Sequence, residues 1–151
     1  SLWMCSGHVP AEDYVVPLGV ADIKRRGRDV TLVGIAGGVR VALEAADLLA
    51  AQGIEAEVVD PRSLVPLDIE TIVQSVARTR HLVVVDPAHQ TCGASAEICT
   101  RVMELAFDSL DSAPRRVNTP DIQIPFAPEM EQPLYPNVAR VVAAVRAALE
   151  A

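Results

Sequence analysis

The chain has 151 residues, half of them hydrophobic but only 3% aromatic, which suits one compact domain with a core of Val, Leu, Ile and Ala. The formal net charge is −7, from 13 basic and 20 acidic residues, with no basic stripe interleaved with aromatics, so nucleic acid is excluded as an expected partner. Apolar runs too short for a bilayer and no basic-then-apolar opening argue against a membrane. Three cysteines without framework spacing read as reduced thiols in the cytoplasm.

The first sixteen residues, with Trp3, Cys5 and Pro10, show no period and read as a linker. Ala21–Arg25 alternates as a short strand, and Arg26-Gly27-Arg28-Asp29 turns the chain. The run from Val30 to Ile35 predicts a buried strand, which the small residues Ala36-Gly37-Gly38 end. A helix follows with Val39, Leu43, Ala46 and Ala50 on one face, and Gly53 stands where a left-handed C-cap belongs. Ala56–Val59 resumes strand character before Asp60-Pro61 stops it. The segment Pro61–Pro66 is too proline-broken for a helix interior. Asp68 then N-caps a helix that buries Ile69, Ile72, Val73 and Val76.

His81–Val85 is the next strand, ended by Asp86-Pro87. A helix with Ala94, Ile98, Val102 and Leu105 aligned leads through Pro114 to a last strand, Arg115–Thr119. Five prolines at 120, 125, 128, 133 and 136 make the next stretch an extended surface crossing. Asn137 caps a final helix whose inner face is Val138, Val141, Val142, Val145 and Leu149. Strands alternating with helices predict an α/β domain with a mostly parallel sheet, its chemistry confined to the strand C-ends.

Several residue groups there bear chemistry. Gly37-Gly38 can bring backbone N–H groups to an anion at a helix N-terminus, or can simply permit tight packing. Neither the G-x-G-x-x-G fingerprint nor a Walker lysine accompanies it. The loop from Asp86 to Gly93 holds a carboxylate, the imidazole of His89 and the thiol of Cys92. Cys92 precedes a helix N-terminus, where a thiolate is favoured. No oriented base for it is visible, and Asp86-Pro87 is ordinary strand-ending chemistry. His89, Cys92 and Cys99 lack the Cys-x-x-Cys spacing of structural zinc. Glu104, Asp108, Asp111 and Asp121 form an acidic group, either a solvated face or the dock for a basic partner.

In combination these segments resemble the C-terminal domain of the beta subunit of thiamine-diphosphate-dependent 2-oxo acid dehydrogenase decarboxylating components. Val9-Pro10 and Tyr14–Gly19 resemble that family's link into this domain. Gly27–Leu32 is similar to its Gly-x-Asp-Val-Thr segment, and Ala42–Ala46 and Gly53–Asp60 continue the match. The most specific piece is Asp60-Pro61-Arg62-Ser63-Leu64-Val65-Pro66-Leu67-Asp68, similar to Asp-Leu-Arg-Thr-Leu-x-Pro-Leu-Asp. Gly93–Ile98 and Pro120–Phe126 match further. Two places depart. Cys92 stands where the family usually has a glycine, and Ala36-Gly37-Gly38 replaces a Tyr-Gly-x-Met type of turn.

The resemblance implies a three-layer α/β/α domain at residues 20–151, after a linker (1–19) from a missing N-terminal pyrimidine-binding domain. Its five-stranded sheet would have the order 1-3-2-4-5, with strand 1 antiparallel. The parent enzyme would decarboxylate a 2-oxo acid oxidatively and pass the acyl group to lipoyl, using thiamine diphosphate and magnesium held elsewhere. No catalytic, cofactor or metal residue is then expected here, and none of His8, His81 or His89 inherits the family's catalytic histidine. The implied partners are a second beta subunit, an alpha subunit, and the subunit-binding domain of a dihydrolipoyl acyltransferase. Asp111, just before Ala113-Pro114, is the matching docking carboxylate, with Asp108 beside it. Pyruvate, branched-chain 2-oxo acids and acetoin all remain open as substrates. A transketolase or deoxyxylulose-phosphate synthase domain shares the fold, and a stand-alone ligand-binding module would use the crevice between Gly37-Gly38 and Asp86–Gly93. The Pro61–Asp68 motif favours the dehydrogenase branch.

Overall fold

The computed structural model describes residues 6–151; Trp3 and Cys5 lie outside them. Residues 6–17 form no helix or strand and are exposed. Five strands follow: β1 (Asp22–Arg25), β2 (Val30–Gly34), β3 (Ala56–Asp60), β4 (Leu82–His89) and β5 (Arg115–Thr119). They form one sheet in the order β1-β3-β2-β4-β5. β1 is antiparallel to β3, and the other neighbours are parallel. This is the expected topology, with the antiparallel strand at one edge.

Because side chains alternate across a strand, the central strands feed two cores. Val30, Leu32, Val58, Val83 and Val85 face α1 (Gly38–Ala50) and, later in the chain, the last helix, Val138–Leu149. Val33, Val59, Leu82 and Val84 face α2 (Ile69–Thr79) and α3 (Ala94–Ala106). With both faces covered, β2 is buried along its whole length, which explains its unbroken apolar run.

Some details depart from the sequence reading. α1 buries Ala42, Ala45, Ala46 and Leu49 rather than a stripe through Val39, Leu43 and Ala50. Small residues let it lie close to the sheet, and the bulkier ones flank the contact. In α3 the buried face is Ser95, Ile98, Val102 and Ala106, while Leu105 is exposed. β4 does not stop at Asp86-Pro87 but runs to His89, with an irregularity in its pairing between Asp86 and His89. Proline is tolerated where a bulge interrupts the ladder. The 120–136 crossing contains one helical turn, α4 (Pro128–Glu131), before a short 3₁₀ turn. Proline at its first position already has the helical φ and lacks an N–H that would go unpaired. The last helix is α5 (Val138–Leu149), N-capped by Asn137, whose Oδ1 accepts from the Arg140 N–H at 3.1 Å. No helix among the described residues is long and apolar enough to cross a membrane.

At the amino end of the sheet the Glu57 carboxylate is buried, with its side chain only 1% exposed. It accepts from Ser75 Oγ at 2.5 Å and from the Arg78 guanidinium, and the Thr31 hydroxyl joins the chain at 2.7 Å from Ser75 Oγ. A buried charge persists only when so bonded.

The Asp60–Asp68 segment fastens the start of the domain. Asp68 Oδ1 accepts from the Thr71 N–H at 3.1 Å and caps α2, while its Oδ2 accepts from the Ala21 N–H at 2.9 Å. Ser63 Oγ accepts from the Gly19 N–H at 2.9 Å and donates to the Pro66 carbonyl at 2.7 Å. Gly19 has φ +72 and lies against the Pro66 ring, where a Cβ would approach to 2.9 Å, so only glycine fits. Burial works to raise the Asp68 carboxyl, but the hydrogen bonds from Ala21 and Thr71 outweigh it and hold the pKa below the ordinary 3.8. Asp68→Ala should therefore cost about 1–2 kcal/mol at neutral pH, read by urea denaturation. A depressed native pKa gives stability that is present above the unfolded-state value and lost as pH falls through the native one. The gap between wild type and variant should accordingly close on acidification below the ordinary carboxylate range.

Candidate functional site

In an open α/β sheet, ligands bind beyond the strand C-ends where the strand order reverses, here between β2 and β4. The residues singled out in the sequence converge there, but mainly to pack. A Cβ on Gly38 would lie 2.3 Å from the Val85 carbonyl oxygen, and one on Gly34 would lie 2.5 Å from Val39 Cα. The Gly38 N–H donates to the Ile35 carbonyl at 2.8 Å and the Val39 N–H to the Ala36 carbonyl at 3.2 Å. These donors are engaged within the turn. A Cβ on Gly37 would meet nothing within 4 Å.

Asp86 is 2% exposed. Its Oδ2 accepts from the Ser95 N–H at 3.1 Å, and its Oδ1 from the Ala88 N–H at 2.9 Å. It thus neutralises the positive end of α3. Asn118 Nδ2 donates to Ser95 Oγ at 2.9 Å and ties β5 to the same corner. A Cβ on Gly93 would come 2.6 Å from the His89 carbonyl oxygen and 3.2 Å from Asp86 Oδ2. His89 is exposed, with Nε2 3.3 Å from the Ile122 carbonyl oxygen. Cys92 is exposed in the left-handed region at φ 61, and no hydrogen bond among the described residues joins it to His89. Burial pushes the Cys99 thiol up to about 11, making it a poor nucleophile. Among the described residues no group of three His, Cys, Asp or Glu is placed to hold a metal ion.

Open space lies instead on the β3 side of α1, in a groove of about 680 Å³. Ile35, Val39 and Leu43 form its apolar wall, facing Leu64, with Arg40 and Arg62 at the rim. Neither Gly37, Gly38 nor any residue of Asp86–Gly93 lines it. Ala36 and Arg62, at φ 49 and 58, hold its two sides in the left-handed region. Sequence reading missed Arg40, Leu43 and Arg62 as a set because they come from different elements. The Asp60–Asp68 motif was the available signal.

The four acids singled out do not form one group. Asp111 precedes β5 and Asp121 follows it, so they stand at opposite ends of that strand. Asp111 is bound by both arms of Arg80, with Nε to Oδ2 and Nη2 to Oδ1 each at 2.6 Å. That hydrogen-bonded guanidinium holds the Asp111 carboxyl below, and the carboxylate holds Arg80 above, their ordinary values. Thr91 bonds Asp121 through its hydroxyl at 2.6 Å and its N–H at 3.0 Å, which depresses that carboxyl too. Asp108 is exposed on the turn Phe107–Ser109 and makes no ion pair among the described residues. An apolar hollow of about 250 Å³ between Met103, Phe107, Leu110 and Pro114 adjoins Asp111.

Residues 19–141 match the family described as transketolase, C-terminal domain. The chain belongs to the transketolase C-terminal domain family. It is 43% identical over 136 residues to the beta subunit of the Bacillus subtilis acetoin:2,6-dichlorophenolindophenol oxidoreductase, spanning 90% of this chain and 40% of that protein. It is 42% identical over 136 residues to the Rhizobium meliloti pyruvate dehydrogenase E1 component subunit beta, covering 90% of this chain and 30% of that one. A solved split-gene transketolase, an inactive beta4 tetramer, superposes with a TM-score of 0.80 at 29% identity, over 95% of this chain and 46% of its own. This transketolase C-terminal domain thus spans less than half the length of these relatives.

Thiamine diphosphate with a divalent cation requires an anion cradle and carboxylate ligands. In this transketolase C-terminal domain the Gly38 and Val39 N–H groups and the Asp86 carboxylate are engaged internally, so these groups do not supply them. If Gly38 serves close packing, Gly38→Ala should cost about 1–3 kcal/mol, as other overpacked contacts do. Gly37→Ala should be neutral or stabilise by about 0.4–1 kcal/mol by restricting the unfolded chain. Thermal unfolding of the two variants separates packing from anion binding, since an anion cradle would suffer from both.

Proposed function

We propose that this chain is the C-terminal assembly and docking domain of the beta subunit of a 2-oxo acid dehydrogenase complex of pyruvate, branched-chain or acetoin type. The identity above 40% to beta subunits along nine-tenths of the chain carries the reading. The internal engagement of the polar groups at the strand C-ends supports it. In this reading residues 1–19 are the link from a pyrimidine-binding domain, and 20–151 the domain itself. The parent enzyme works in the cytoplasm with thiamine diphosphate and magnesium, decarboxylates a 2-oxo acid and acylates lipoyl. Its partners are another beta subunit, the alpha subunit and the acyltransferase's subunit-binding domain.

On this reading the isolated domain is inert. Calorimetric titration with thiamine diphosphate and magnesium should give no saturable heat; a saturable micromolar signal would overturn it.

Docking falls to the corner around Asp108 and Asp111, where exposed acids border the apolar hollow at Met103 and Phe107. An apolar centre with a charged rim is the usual anatomy of a docking patch. Asp111 already neutralises Arg80, so losing it also unmasks a cation facing a basic partner. Asp108→Asn with Asp111→Asn should slow association at low salt by roughly three- to tenfold and flatten the salt dependence, because rim charges act mainly on encounter. Surface-plasmon titration against the cognate subunit-binding domain at two salt concentrations reads this. Unchanged on-rates would place docking elsewhere, toward Arg146–Ala151.

A further inference from the structure

We propose that the groove over β2 and β3 seats Phe126 of a second copy of this chain, so that two copies close into a two-fold dimer; the proposal rests on the beta–beta assembly reading and names its contact. Phe126 is 100% exposed, and Ile122 and Met130 on the same crossing are 50% and 62% exposed. A ring left wholly in water forgoes the burial that makes aromatic residues the usual anchors of interfaces. The groove offers the complementary shape, with Ile35, Val39 and Leu43 walling about 680 Å³.

The charges complement as well. The stretch from Pro120 to Pro136 contains Asp121, Glu129 and Glu131 and no Lys or Arg. Asp121 is engaged by Thr91, and Glu131 by the Tyr135 hydroxyl at 2.7 Å. Glu129, three residues from Phe126, is exposed and makes no ion pair among the described residues. At the groove rim the Arg40 side chain is 67% exposed and lies 3.4 Å from its own Glu44, a weak helix-surface pair that readily exchanges. Two chains each carrying −7 repel unless their contact pairs opposite charges, and Glu129 against Arg40 does so.

The seat is not made within one chain, because Phe126 is wholly exposed and does not line the groove. The groove follows the carboxyl ends of β2 and β3, whereas the crossing leaves β5 at Thr119 and returns to the start of α5. Both therefore lie at the same end of the sheet, with β2 two strands and β3 three strands from β5, roughly 10 and 14 Å by strand spacing. A rotation of half a turn between two copies brings each ring to the other's groove. The contact then occurs twice and leaves no open end.

Sedimentation velocity of the 151-residue chain over a concentration series tests this. Wild type should dimerise with rising concentration. Phe126→Asp, outside the core and so folded by circular dichroism, should weaken the dimer about a hundredfold or more, since it removes both contacts. Arg40→Glu and Glu129→Arg should each weaken it about tenfold or more, and the double variant should recover most of the loss. A dimer insensitive to Phe126→Asp, or a double variant no better than the singles, overturns the seat while leaving beta–beta assembly through another surface standing. A wild type that stays monomeric throughout overturns both.

Discussion

The constraint behind this molecule is that its sheet has no wet face. Helices cover both sides of β2, β3 and β4, so these strands are mostly apolar, their buried polar side chains Thr31, Glu57 and Asp86 are all hydrogen-bonded, and every polar backbone group must pair within the ladder. The helices must also lie close, which is why α1 meets the sheet through Ala42, Ala45 and Ala46. Gly34 and Gly38 serve the same end, letting the first turn of α1 press against the ends of β2 and β4 respectively.

What remains for polar chemistry is the rim at each end of the strands. At the amino end, Glu57 is buried with Arg78 and Ser75, a fixed network between sheet and α2. At the carboxyl end, Asp86, Ser95 and Asn118 join α3 and β5 to the end of β4. Both sets are satisfied among themselves, and no buried side-chain nitrogen or oxygen among the described residues lacks a partner. The remaining chemistry of the described residues lies on exposed surfaces.

Those surfaces share a physical character. The hollow beside Asp111, the groove beside Arg40 and the crossing around Phe126 each set apolar side chains next to charges. Apolar contact supplies affinity and the charges supply orientation. The Asp60–Asp68 segment adds a mechanical element, because Ser63 and Asp68 fasten Gly19 and Ala21 to the sheet. The chain is thereby anchored to the domain at Gly19 and Ala21.

The sequence by itself determined the alternation of strands and helices, the parallel sheet and the Asp68 and Asn137 caps, because apolar period and capping chemistry are local. It also carried the family, through motifs such as Pro61–Asp68 that keep their order along the chain. It did not determine which side of α1 packs, because a face of small residues is chosen by the distance to the sheet rather than by hydrophobicity. The run of β4 beyond Pro87 was likewise hidden, since a bulge admits a proline that normally ends a strand. Only the tertiary structure engaged Asp86 at a helix end, set Asp111 against Arg80 and parted it from Asp121, and opened a groove between Leu43 and Leu64. Such partners are far apart in sequence, and no local preference of either residue specifies the other.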